Sequence, residues 1–111
     1  LARDPEESFW ADKLDTKLWW PHTEALYALL LAYSITQEDW CLEWFKRVHN
    51  YAFGHFPVPK YGEWIQNLDR QGNKMSAPVA LPVKDPFHLA RALIYGIGVL
   101  GSLAQASTTP K

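Results

Sequence analysis

Residues 18–36, LWWPHTEALYALLLAYSIT, contain a nine-residue stretch, 25–33, that is apolar except for the hydroxyls of Tyr27 and Tyr33. Such a run predicts a helix that must be buried on every side. Pro21 suits a first helical turn, where its missing N–H costs nothing. Glu24 is then expected in the same first turn, favoured by the helix dipole. The run is too short to cross a bilayer. Residues 38–55 read differently: Trp40, Trp44, Phe45, Val48, Tyr51 and Ala52 recur at helical spacing, interleaved with Glu38, Asp39, Glu43, Lys46 and Arg47. That is a surface helix with one apolar face. Phe56-Pro57-Val58-Pro59 ends it, because the second proline disfavours helix at the residue before it. Residues 61–74 predict a short strand and a turn, one half of a hairpin. The prolines at 78, 82 and 86 predict an extended stretch. A third helix is expected over residues 88–106, with Arg91 its one charge and with Gly96, Gly98 and Gly101 weakening it by roughly 1 kcal/mol each. Residues 1–17 read as an irregular lead-in and 107–111 as a frayed end.

Two of the three helices are therefore apolar nearly all round. A free-standing three-helix domain would show three amphipathic ones. An inner layer of buried helices and an outer layer of amphipathic ones fits better, and it needs more helices than 111 residues supply. The aromatic load agrees: six Trp, five Tyr and five Phe, of which 14 fall before residue 65, are hard for so short a chain to cover. The chain is expected to be part of a larger helical assembly.

Charge and cysteine content narrow the chemistry. With Lys+Arg 11 against Asp+Glu 12, there is no broad electrostatic case for nucleic acid or an anionic membrane. One cysteine, Cys41, allows neither an internal disulfide framework nor a thiolate metal cage, and fits a reducing compartment. No zinc spacing or phosphate-binding loop is present, and the Gly96/Gly98 pair has no strand before it. His49 and His55 read as surface or cap residues. His22 lies near one helix start, and His88 opens another after Asp85-Pro86-Phe87. There the dipole favours the neutral imidazole, which can accept a proton, although such a histidine can equally satisfy free backbone groups. Glu24 either stabilises its helix or stands as a carboxylate at the mouth of an apolar cavity. Trp19, Trp20 and Trp64 can stack on a sugar or pack in a core, and neighbours on a helix point about 100° apart, so one of the Trp19/Trp20 pair must be structural.

Three blocks carry a resemblance: KLWWPHTEALYALLLAY, YGEWIQNLDRQGN and PVKDPFHLAR, in that order over residues 17–91. The combination resembles the N-acylglucosamine 2-epimerase family, in particular its animal branch, also called renin-binding protein. Two departures stand out: Ala90 occupies a position that is usually proline in the family, and residues 92–111 diverge. The resemblance implies an all-α fold, the C-terminal part of an (α/α)6 barrel, with three to four helices and a short β-hairpin-like loop. It implies interconversion of N-acetylglucosamine and N-acetylmannosamine, a step of amino-sugar and sialic acid metabolism, by removal of the C2 proton and its return to the other face. In that scheme His88 and Glu24 are catalytic, and Trp20, Trp64, His22 and Arg91 bind substrate. The second catalytic histidine and an active-site arginine belong to the part of the barrel preceding these residues, so the isolated chain is expected to be inactive. The family also implies no required cofactor, ATP as an effector, a homodimer, renin as a partner and a cytoplasmic setting.

Two other readings compete. A piece of barrel could serve only as an interaction module, binding renin or itself. A plain helical domain without a site would leave Glu24 and His88 far apart.

Overall fold

The computed structural model describes residues 14–75 and 87–108. Three helices dominate: α1 (Trp19–Thr36), α2 (Asp39–His55) and α3 (His88–Thr108). Four two-residue strands accompany them: β1 (Lys17–Leu18), β2 (Pro57–Val58), β3 (Glu63–Trp64) and β4 (Asn67–Leu68). β2 and β3 form an antiparallel hairpin with Pro57 opposite Trp64, although residues 56–59 read in the sequence only as a helix stop. The expected turn lies further on, at 69–73, bridged by Leu68 and Lys74. β4 pairs with β1, which the sequence had offered only as irregular lead-in. Two residues are too few to show a strand's alternation.

That second pairing starts α1. Leu18 precedes the helix without a side-chain cap, and the N–H of Trp19 donates to the Gln66 carbonyl at 3.1 Å. A neighbouring loop thus satisfies one of the orphan donors of a helix end. Because α1 begins at Trp19, Pro21 sits in its first turn as expected, whereas Glu24 falls in the second, where the dipole argument no longer applies. At the other end, Gln37 adopts φ 56 and its N–H closes on Tyr33 O at 2.8 Å. The chain then turns directly into α2.

α1 is the central element, packing against both α2 and α3. The core lies on the α2 side: Trp19, Leu26, Ala52, Phe56 and Leu68 are buried, with Phe45, Val48, Tyr51 and Trp64 packed around them. On α3 the buried position is Ala92, while Ile94 and Ile97 are 67% and 68% exposed. The sequence demands burial all round for this helix, and among the described residues only one side is covered. The helix runs through Ser107 and Thr108, two residues beyond the expected fraying point, and Ser107 Oγ donates to Ala104 O at 2.9 Å. Its segment His88–Ser107 is long and apolar enough to cross a membrane (mean hydropathy 1.4). Core helices of soluble proteins share that length and composition, so they do not by themselves define a span. Gly96 and Gly98 lie in mid-helix, where no phosphate-cradling turn forms.

Candidate active site

The first turn of α3 meets the second turn of α1. His88 and Arg91 are three residues apart, hence on one helix face, and both reach Glu24. His88 Nδ1 lies 2.9 Å from Glu24 Oε1. Arg91 Nη2 donates to the other oxygen, Oε2. One carboxylate therefore bridges two side chains that lie 64 and 67 residues away in sequence.

The bond pattern assigns the imidazole. An ionised carboxylate only accepts, so Nδ1 carries a proton, and in the neutral form of the ring the lone pair is on Nε2. Glu24 is held below its ordinary value of 4.5, chiefly by the Arg91 hydrogen bond and then by that of His88, with partial burial opposing. The same contact raises the pKa of Arg91. All three side chains keep about a third of their surface exposed, so the cluster opens to solvent.

Aromatic rings frame it. Trp20, one turn before Glu24 and 40% exposed, sets its ring centroid 5.2 Å from that of His88 at a 32° tilt. Phe87 meets His88 edge-on at 5.2 Å. The Arg91 guanidinium lies over the rings of Phe87 at 5.3 Å and Tyr27 at 5.7 Å. Tyr27 and Phe87 were not anticipated. Tyr27 follows Glu24 by three residues, a spacing that puts both on one helix face and could have flagged it.

Of the six expected site residues, the structure brings Glu24, His88, Arg91 and Trp20 together. Their contact removes the alternative in which Glu24 and His88 stand apart. His22 and Trp64 are engaged elsewhere. His22 sits two positions from Glu24, about 200° around the helix. Its Nδ1–H donates to the Leu18 carbonyl at 2.6 Å, and its ring packs on Phe56 and Tyr51. Trp64 stacks on Phe56 (centroids 5.8 Å apart) and meets Phe53 edge-on. It lines an apolar cavity of about 210 Å³ between the helices, which Glu24 and His88 do not line. In this structure His22 is thus held by a backbone carbonyl and ring packing, and Trp64 by ring packing. His49 and His55 are exposed, and His55 Nδ1–H donates to Tyr51 O at 2.8 Å. Among the described residues no group of three His, Cys, Asp or Glu could hold a metal.

The sequence profile of the N-acylglucosamine 2-epimerases matches residues 3–92, a span that includes every residue of this cluster. The chain belongs to the N-acylglucosamine 2-epimerase family. The N-acylglucosamine 2-epimerase of Mus musculus is 39% identical over 89 residues, covering 80% of this chain and 21% of the relative. That of Homo sapiens is 38% identical over 99 residues, covering 89% and 22%. The chain thus spans about a fifth of the length of the curated relatives it matches. Among solved structures it resembles the cellobiose 2-epimerase of Spirochaeta thermophila (TM-score 0.71, 23% identity, 80% of this chain and 23% of that one). It also resembles that of Bacillus thermoamylovorans (TM-score 0.65, 27% identity, 75% and 22%). The fold is accordingly a portion of an (α/α)6 barrel, whose alternation of inner and outer helices accounts for the apolar α1 and α3 beside the amphipathic α2. The family profile ends at Ala92, the match to the Homo sapiens relative covers 99 residues and so reaches at least residue 99, and α3 continues to Thr108.

Proposed function

We propose that the chain carries one acid/base centre of a sugar 2-epimerase acting on N-acetylglucosamine and N-acetylmannosamine. The observation that carries this reading is the Glu24–His88 hydrogen bond beside Trp20, inside the segment shared with the family. In an open-chain sugar the C2 hydrogen is acidified by the neighbouring carbonyl, but only weakly, so its removal needs a positioned base. His88 Nε2 takes that proton. Glu24, ionised and bonded to Nδ1–H, orients the ring and stabilises the imidazolium that forms. The exposed indole of Trp20 offers an apolar wall against which a sugar face packs.

Inversion also requires a donor on the opposite face of C2 and stabilisation of the enolate. By the family resemblance these come from the four-fifths of the relatives' length that this chain does not span. One base alone would return the proton to the face it came from. The test is a chimera in which residues 17–91 replace the matching segment of the Mus musculus relative. It is expected to interconvert the two sugars, and His88→Ala or Glu24→Ala should reduce kcat by at least 100-fold with helicity unchanged. Near-normal turnover in either variant removes that residue from the mechanism. A well-folded chimera that turns over cellobiose and ignores the N-acetyl sugars overturns the substrate assignment.

A further inference from the structure

Arg91 was expected to bind substrate, and its surroundings point to different work. Its Nη2 is committed to Glu24 Oε2. Its Nε is buried without an acceptor among the described residues, so a ligand cannot reach that donor. The planar cation lies over the rings of Tyr27 and Phe87, which restricts its rotation. A guanidinium with one edge closed off and its plane held by aromatic rings is poorly placed to grip a mobile sugar. It is well placed to hold a carboxylate still.

We propose that Arg91 is a positioning residue: it fixes one oxygen of Glu24 so that the other takes the Nδ1–H of His88, locking the imidazole lone pair onto Nε2. The spacing supports this directly. Arg91 and His88 are neighbours on one face of α3, so a single Glu24 rotamer satisfies both. Without the Arg91 contact, the Glu24 side chain regains its rotamer freedom and the ring its freedom to exchange tautomers. Arg91 also offsets the carboxylate's charge, so the imidazole faces a neutral pair rather than a lone anion. The catalytic importance of this lock rests on the proton-transfer reading above, whereas the lock itself does not.

The test is made on the full 111-residue chain, labelled with ¹⁵N-histidine, near pH 7.5 and with no sugar present. Two-bond ¹H–¹⁵N correlation separates the protonated ring nitrogen from the unprotonated one. Wild type is expected to show His88 almost wholly as the Nδ1–H form. Arg91→Met, which keeps the aliphatic stem, should convert at least half of it to the Nε2–H form with helicity by circular dichroism unchanged. Arg91→Lys should restore most of the Nδ1–H form. A wild-type-like tautomer in Arg91→Met overturns the proposal, and so does an Arg91→Lys protein that behaves like Arg91→Met. Should Arg91→Met fail to fold, the unmodified chain still decides: the Arg91 Nη protons should give separate resonances from hindered guanidinium rotation, and a single averaged signal overturns the clamp. Because no turnover is read, an inactive chimera sinks the epimerase reading alone, and an unchanged tautomer sinks this one alone.

Discussion

Glu24 repays attention as a single residue, because its charge state is tied to the contact between two helices. Its pKa is lowered in the folded chain, so its ion pairing stabilises the fold fully above about 4.5 and is lost as pH falls through the lowered folded value. The difference in thermal stability between wild type and Glu24→Gln should therefore be present at pH 6 and shrink by pH 3. Melting curves at the two pH values check this, and a gap of constant size would mean the pairing contributes nothing. Sequence reading reached Glu24 as the last charge before an apolar run and His88 as the opening residue of a helix. It could not reach their contact, since no local pattern encodes an approach across 64 residues. His22 and Trp64 were chosen by residue type and by resemblance. What engages them, a carbonyl at Leu18 and the rings of Phe53 and Phe56, depends on tertiary placement.

At the level of elements, the helices were legible because 3.6-residue periodicity and proline punctuation repeat over many residues. β3 and β4 fall within the stretch 61–74 that reads as strand and turn, whereas β1 and β2, two residues each, leave no pattern to read. What holds the strand region is a set of specific contacts. Lys17 Nζ donates to Tyr51 Oη at 2.8 Å and to the Arg70 carbonyl at 2.7 Å, tying β1 to α2 and to the turn after β4. Asp69 organises that turn by accepting the Asn73 N–H at 2.9 Å, which draws its carboxyl below the usual range. Gly72 completes it at φ +92, where an added Cβ would come within 2.7 Å of the His55 ring. Gly72→Ala therefore combines a left-handed backbone with a close approach. It is expected to destabilise the chain by about 1–3 kcal/mol in urea unfolding. An unchanged midpoint would show that the turn relaxes freely.

For the molecule as a whole, the prominent fact is uncovered apolar surface. Ile94, Tyr95, Ile97 and Leu100 on α3 are all about half exposed or more, and no charged side chain follows Arg91 within the helix. A contiguous apolar face of that kind drives association in water. The 12.8 kDa chain should elute from size-exclusion chromatography as a concentration-dependent oligomer, and the double substitution Ile94→Lys, Ile97→Lys should move it toward monomer. A wild-type monomer at all concentrations would show that the face is tolerated as it stands. The partial cover of α1 and α3 was foreseeable from their missing polar faces. Which side would be left open was not, because a uniformly apolar helix gives no directional signal.

The length of α3 also makes it a lever. Its 21 residues extend about 30 Å, with His88 and Arg91 at one end and uncharged turns lying beyond the family profile at the other. If the far end is the pivot, a tilt of about 5° sweeps the near end through roughly 2.5 Å, as far as a whole hydrogen bond is long. Whatever seats the distal turns therefore also governs the alignment of the histidine with its carboxylate. Substitutions at Ile97 or Leu100 could thus alter proton transfer at Nε2 from several helical turns away, without touching any residue of the site.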